Sequence, residues 1–399
     1  MGQSFITSFR NATPEQLAVA LGEARSALLE LFERFAAAGL DASDRVPLLP
    51  IVNPPLWELA HVAWFSELFL LREAASSNPA TALYPSLLAG SDTWFDSNAV
   101  PHDMRWALDM PGVAVIKTYC RDVFERALDK LSRAGNGDAA LYPYRLALAH
   151  EDMHGEAFAY TLQTLGVSAP ARLASPVAAT ESSAEIRFAG GAIQVGGRLD
   201  QGFVFDNEKW AHPVVVPAFA IDSGLISNAR YAAFVEDGGY EKPALWRNSA
   251  GDWLARQQRS APRYWQRDDG AWRTERFGTT VSLLPDEPVR HVNLHEAEAY
   301  CLWAGRRLPV EAEWEFAACS GNAVFRWGDL WEWTGSLFEP YPGFAPDAYR
   351  EYSVPWFNTH QVLRGASFAT QARMRSPMYR NFFMPQRDDL FAGFRTCAL

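Results

Sequence analysis

The sequence predicts an α + (α+β) chain: a four-helix bundle followed by a mixed half of short strands and helices. Three observations predict it. Residues 13–166 carry apolar side chains at helical spacing, a stretch rich in Ala, Ser and Pro interrupts that pattern, and from Ile186 short β-like runs alternate with loops rich in Gly, Pro and Trp. A chain of 399 residues has room for two or three domains and more than one core.

The first helix is signalled by Thr13-Pro14-Glu15-Gln16, which supplies an N-cap hydroxyl, a proline at the first helical position and a glutamine able to reach back to the cap. It should run through Leu17, Val19, Leu21, Ala24, Leu28, Leu31 and Phe35 and stop before Gly39. Asn53-Pro54-Pro55 starts the second, LWELAHVAWFSELFLLREA. The third is expected over Val113–Arg133, ending at Gly135, and the fourth from near Tyr142 to Gly166. Four amphipathic helices in so short a span suggest a bundle, whose interior commonly holds metal sites. Residues 168–185 have no periodicity and are expected to be a linker, so that the two units should occupy 1–167 and 186–399. In the second unit IRFAGGAIQVGG and HPVVVPAFAID look like strands, and helices are expected over Asn228–Asp237 and His295–Ala304.

A net charge of -11 argues against a general nucleic-acid binder, whose affinity rests on neutralising phosphates. Four cysteines without a CxxC pair suit a reducing compartment. No signal peptide is visible at the N-terminus and no run of about 18 apolar residues occurs, so a cytoplasmic location without membrane contact is expected.

His150 and His154 stand four residues apart on the fourth helix, one turn apart on one face, where both imidazoles can share an ion. His61 on the second helix, amid Trp57, Glu58, Trp64 and Phe65, is the best third ligand. Three neutral imidazoles leave coordination sites open for small molecules, as a catalytic metal requires. The same residues fit a rival pattern, however. His150-Glu151-Asp152-Met153-His154 matches the HExxH of zinc peptidases, with Glu151 as general base. On residue chemistry alone, a zinc hydrolase and an iron oxygenase both remain open, because imidazole suits either metal.

WELAHVAWFSELFLL and LALAHEDMHGEAF resemble the DinB-like helical domain of the ergothioneine-synthase (EgtB-like) family. FDNEKWAHPVVVPAFAID, NARYAAFVEDGGYEKPALW, RLPVEAEWEFAA, LWEWTGS, LRGASFAT and YRNFFMPQRDDLFAGFR resemble its formylglycine-generating-enzyme-like (sulfatase-modifying factor) domain, a C-type-lectin-like fold. The resemblance covers nearly the whole chain. It implies iron(II) on His61, His150 and His154, with dioxygen as co-substrate. It also implies hercynine, the trimethylated betaine of histidine, as the molecule whose imidazole C2 receives sulfur or selenium. By the same resemblance Asn381 contacts the amino-acid portion of hercynine, with Phe382 beside it; by residue type Arg380 could add a donor to the carboxylate and Phe383 an aromatic face to the ammonium. Tyr349 or Tyr352 supplies a phenol near the metal that can donate a proton or hydrogen atom. Met153 stands where relatives carry an amide that touches substrate, which suggests a drier pocket. Formylglycine generation itself is not expected, since the paired cysteines for copper are missing and only Cys397 lies near that end.

The donor is inferred from departures. Relatives that take γ-glutamylcysteine carry an Asp where this chain has Phe383, and those that take cysteine carry tyrosines and a basic run where this chain has only Arg105. These departures point to the selenoneine-synthase (SenA-like) branch, with a selenosugar donor expected to meet Asp96, Asn98, His102, Asp103 and Trp106. An ergothioneine-type sulfoxide synthase using cysteine or γ-glutamylcysteine is the alternative. A non-catalytic binding module ranks last, because all three histidines are present.

Overall fold

The computed structural model describes residues 8–174 and 184–399. The first helix, Pro14–Ala37, opens on the expected reciprocal cap: Thr13 Oγ1 accepts from the Gln16 amide at 3.4 Å, and Gln16 Oε1 accepts from the Thr13 amide at 2.9 Å. Its buried face carries Leu17, Leu21, Ala24, Leu28, Leu31 and Phe35, whereas Val19 points to solvent. The second helix, Pro55–Ser66, is buried along its whole length and continues into a π-helical turn, Glu67–Leu71. The third spans Val113–Leu131.

The fourth helix, Asp138–Thr164, starts four residues before the expected point. Proline is at home in the first helical turn, which a start near Tyr142 would give Pro143. Here Pro143 sits in the second turn, where it forfeits one backbone hydrogen bond near the helix end. The first and fourth helices pack along their length, and the second packs on the third and fourth. This places the second and fourth, which carry the histidines, side by side.

Most of the expected linker lies outside the described residues. At its near end Ala171–Ala174 forms a single helical turn, and at its far end Glu185 already begins a strand. The C-terminal half holds four small sheets. Glu185–Phe188 pairs with Phe219–Asp222, and Gly191–Val195 with His212–Val216, both antiparallel, in the runs that looked like strands. Trp265–Asp268, Ala271–Arg276 and Thr279–Ser282 form a three-stranded meander that the sequence analysis did not identify. The fourth sheet orders Asn381–Phe383, Gln361–Gly365, Trp331–Leu337 and Ala392–Gly393, the last pair parallel. Helices occur at Asn228–Glu236 and Leu294–Trp303 as expected, and also at Ser249–Gln257 and Glu311–Cys319. The last of these lies within the RLPVEAEWEFAA segment and has no counterpart among the expected helices.

Polar contacts bind the two halves. Arg10 forms a two-pronged ion pair with Glu208, Arg373 pairs with Asp152 at 2.8 Å, and Gln163 hydrogen-bonds the backbone of Glu275 and Phe277. Each pair is buried, so its partners are fixed by the cost of leaving either unpaired. Cys120, Cys301, Cys319 and Cys397 are all free. Among the described residues no helix is long and apolar enough to cross a membrane.

Candidate metal centre and cavity

One turn of helix separates His150 from His154, and the neighbouring helix brings His61 against both. Ligand-capable atoms of the three lie within 4.8 Å of one another, and His61 and His150 are buried. Two of the rings are aimed by hydrogen bonds. His61 Nδ1 donates to the Phe95 carbonyl at 2.8 Å. Glu58, one turn before His61 on the same face, accepts from His154 Nδ1 at 2.7 Å. Both bonds leave the Nε2 lone pair free, the arrangement by which outer partners orient metal-bound imidazoles.

His150 differs. Neither of its nitrogens has a hydrogen-bond partner, although both are buried, and its ring lies flat on Phe65 with centroids 3.7 Å apart. A buried polar atom left unpaired costs about 1–3 kcal/mol, and an ion shared with its two neighbours would satisfy it. Burial, with the neighbouring imidazoles adding to it, holds His61 and His150 well below the ordinary histidine range. Both are therefore neutral near pH 7 and can ligate. The donor set fits a divalent transition metal on these grounds.

Glu151 is not available to the site. One residue on from His150, it turns away around the helix and meets Arg25, whose Nε is 2.6 Å from Oε1 and whose third nitrogen donates to the Cys120 carbonyl. The general base that the HExxH reading needs is thus consumed in a buried ion pair. The peptidase pattern is a coincidence of spacing.

Beside His154 opens a cavity of about 180 Å³, lined by both halves of the protein. The fourth helix contributes Met153, Glu156, Ala157 and Tyr160; the C-terminal half contributes Trp331, Tyr379, Asn381, Phe383, Leu390 and Phe391. Strand geometry sorts the Asn-Phe-Phe segment. Side chains alternate faces along Asn381–Phe383, so Asn381 and Phe383 line the cavity. Phe382 faces away and stacks on Phe338 at 4.1 Å, which corrects its expected place beside Asn381. Asn381 Oδ1 accepts from the Phe382 amide at 3.0 Å, leaving Nδ2 as the donor for a ligand. Glu156 is held by Trp331 Nε1, Ser367 Oγ and Thr370 Oγ1, and burial pushes its pKa up.

The structure places Met153, His154, Asn381 and Phe383 around the cavity, with His61 and His150 clustered against His154, but removes others from it. Arg380 is fully buried elsewhere: it pairs with Glu311 at 2.9 Å and donates to the carbonyls of Asn207 and Glu339. A guanidinium so engaged has no donor to spare. Trp106 donates to the Val46 carbonyl and packs edge-on against His102, which bonds the Val52 carbonyl. Asp103 is exposed on the same short turn, and Asp96 Oδ1 accepts from the Asn98 amide. None of these lines the cavity.

Arg105 approaches the histidines from behind. It stacks 4.0 Å over Trp57, whose ring is parallel to His61 at 5.1 Å. It donates to Asn53, and burial lowers its pKa to about 10. Of the two tyrosines, Tyr349 faces the site, 4.9 Å from Phe65 and 6.0 Å from His150 between ring centroids. Tyr352 turns back to stack on Phe205. Burial raises the pKa of both phenols, so each keeps its proton near neutral pH.

Sequence reasoning missed Glu156, Ala157, Tyr160, Trp331, Leu390 and Phe391 as cavity residues. Helical spacing could have found three of them, since Glu156 and Ala157 follow Met153 by one turn and Tyr160 by two. The other three come from distant segments and carried no local signal.

The sulfatase-modifying factor enzyme 1-like domain matches residues 170–330 and 324–398. The hercynine oxygenase of Mycobacterium tuberculosis is 33% identical over 440 residues, covering 96% of this chain and 98% of that protein. That of Mycolicibacterium smegmatis is 32% identical with the same coverage. The chain belongs to the hercynine oxygenase family. Its match to the formylglycine-generating enzyme of Streptomyces coelicolor, 35% identical, spans 41% of this chain and 58% of that protein. The full-length likeness to the oxygenases covers the histidine-bearing helices as well as the C-terminal half. The chain is an enzyme of this family.

Proposed function

We propose that this enzyme binds iron(II) through His61, His150 and His154 and joins a selenium or sulfur donor to the imidazole C2 of hercynine. In the net reaction a C–H bond is replaced by a C–Se or C–S bond, an oxidation for which dioxygen is the oxidant. The observation that carries the reading is the pair of unpartnered His150 nitrogens within the histidine trio, whose third member, His154, opens onto a cavity walled by aromatic rings and one free amide donor. Iron in that position would supply the oxygen-activating chemistry.

The chain's own groups meet the other demands. Trp331 and Tyr379 offer aromatic surface to a trimethylammonium group, whereas the Arg387 guanidinium already lies over the rings of Tyr160 and Phe383. Asn381 Nδ2 can donate to a carboxylate. Tyr349, its ring 6.0 Å from that of His150 between centroids, keeps its phenol proton near neutral pH and can supply it at the reacting centre. Glu58 and the Phe95 carbonyl keep the imidazoles aimed.

For the donor, the reading favoured is a selenosugar. The cavity lining contains no Lys or Arg, and its one carboxylate, Glu156, already accepts three hydrogen bonds. The donor reading rests on the sequence departures, Phe383 in place of the carboxylate carried by γ-glutamylcysteine users and Arg105 alone in place of the basic run of cysteine users, because the cavity itself is taken up by hercynine. The test is anaerobic reconstitution with iron(II) and hercynine, followed by oxygen, in parallel with a selenosugar, cysteine and γ-glutamylcysteine. Mass spectrometry should find the hercynine adduct of the selenosugar. An adduct with a thiol alone would replace the donor assignment, and no adduct with any donor would overturn the reading.

A further inference from the structure

The loop that carries Tyr349 is fastened at four of its seven residues, and the fastenings come from both halves of the protein. At its start, Asp347 accepts from Lys209 Nζ at 2.7 and 2.6 Å and from the Tyr142 hydroxyl of the fourth helix at 3.0 Å. The next residue, Ala348, accepts at its carbonyl from the Ser77 amide at 2.9 Å, and the Ser77 hydroxyl donates to Glu351. At the end, fully buried Ser353 donates to Asp206 Oδ1 at 2.5 Å and accepts from Asn207 Nδ2 at 3.0 Å. Between these anchors lie Tyr349, facing His150, and Tyr352, stacked on Phe205.

So dense a set of polar contacts is more than loop closure needs. A surface loop commonly keeps its backbone hydrated and its ends mobile. This one spends a salt bridge and several side-chain bonds on residues immediately flanking one aromatic ring. Two anchors, Tyr142 and Ser77, belong to the helical half that also bears His150. The ring is therefore referenced to the metal-binding helices themselves as well as to the C-terminal half.

We propose that Asp347, Ser353 and Ser77 are positioning residues that hold the Tyr349 phenol against the metal face, so that its proton is delivered in register. The inference rests on the reading of Tyr349 given above. Reactive geometry is steep: a misplacement of about 1 Å can cost on the order of 100-fold in rate. Substrate affinity, set by the separate cavity, should hardly change.

The test compares Ser353→Ala, Ser353→Thr, Asp347→Asn, Ser77→Ala and Tyr349→Phe, each as the full chain. One readout needs neither metal nor substrate. Arg350 is exposed within the loop, so the rate of tryptic cleavage after it reports loop release in the metal-free protein. The second readout is the split between kcat and KM for hercynine in the iron-loaded enzyme, together with the fraction of oxygen consumed that appears as product. Ser353→Ala and Asp347→Asn should speed cleavage at Arg350 and lower kcat by about 10–100-fold, with KM unchanged and oxygen use uncoupled from product. Ser353→Thr should restore both readouts. Asp347→Asn, at a partly exposed position, stands in if burial makes Ser353→Ala unstable.

Cleavage at the wild-type rate, or a loss confined to KM, would overturn the clamp. If Tyr349→Phe alone left coupling and kcat intact, the reading of Tyr349 would fall, and with it the catalytic purpose of the clamp. If Tyr349→Phe impaired turnover while the anchor variants matched wild type, only the clamp would fall.

Discussion

Replacing Glu151 by glutamine separates the two chemistries that the HxxxH helix could serve. In the structure Glu151 Oε1 lies 2.6 Å and Oε2 3.2 Å from the guanidinium of Arg25, and both residues are buried. Glutamine keeps one acceptor but loses the charge, leaving Arg25 uncompensated away from water. Removing one partner of a buried pair costs about 3–5 kcal/mol. With a urea dependence near 3 kcal/mol per molar, that predicts a fall of about 1–1.7 M in the unfolding midpoint. Iron binding and product formation should survive in the folded fraction, because the carboxylate points away from the three imidazoles. The assays are a urea titration followed by intrinsic fluorescence, metal analysis and turnover below the transition. An unchanged midpoint would refute the structural assignment of Glu151. A variant of wild-type stability that binds metal but cannot turn over would restore its role as a general base, and with it the hydrolase reading.

Three further outcomes follow from the same geometry. Glu58→Ala removes the acceptor that aims His154 and should weaken iron(II) binding by about 10–100-fold; an anaerobic titration matching wild type would show that His154 is aimed by something else. His150→Leu should abolish metal binding yet leave the chelator-treated protein at least as heat-stable as wild type, since neither ring nitrogen loses a hydrogen bond. A drop of several degrees in its metal-free Tm would mean that the imidazole has a structural partner. Glu296 is pushed up to about 8, chiefly by burial, against an ordinary value of 4.5. Its folded state therefore holds the proton more tightly, and the associated stability, full in acid, is lost as pH rises towards 8. Glu296→Gln should flatten the decline in Tm between about pH 5 and pH 8, and an equally steep decline in the variant would rule Glu296 out as its source.

Much of the helical half is legible locally. The Thr13–Gln16 cap, the buried stripe from Leu17 to Phe35 and the shared face of His150 and His154 all follow from short-range rules, because hydrogen bonding and helical period act within a few residues. The same rules misplace the start of the fourth helix near Tyr142 and list Val19 with the core, since packing can outweigh a local preference. In the C-terminal half, paired strands around Gly190 and Pro217 are visible as apolar runs. The meander over Trp265–Ser282 is not, because its strands are mostly polar and exposed.

By itself, then, the sequence determined the ligand-capable trio and the order of the two units. The spacing of His150 and His154 needs only a helix to put them on one face. Tertiary structure decided which neighbours of those histidines take part. Glu151 and Arg380 look like chemistry in one dimension, yet each is neutralised by a partner more than 65 positions away, Arg25 and Glu311. Phe382 and Phe383 are indistinguishable as a dipeptide until strand alternation points one at Phe338 and the other into the cavity. Trp331, Leu390 and Phe391 become lining residues only because the C-terminal half folds onto the fourth helix. A charge or a ring has no role until burial and its nearest partner are known, and those are set by the whole fold.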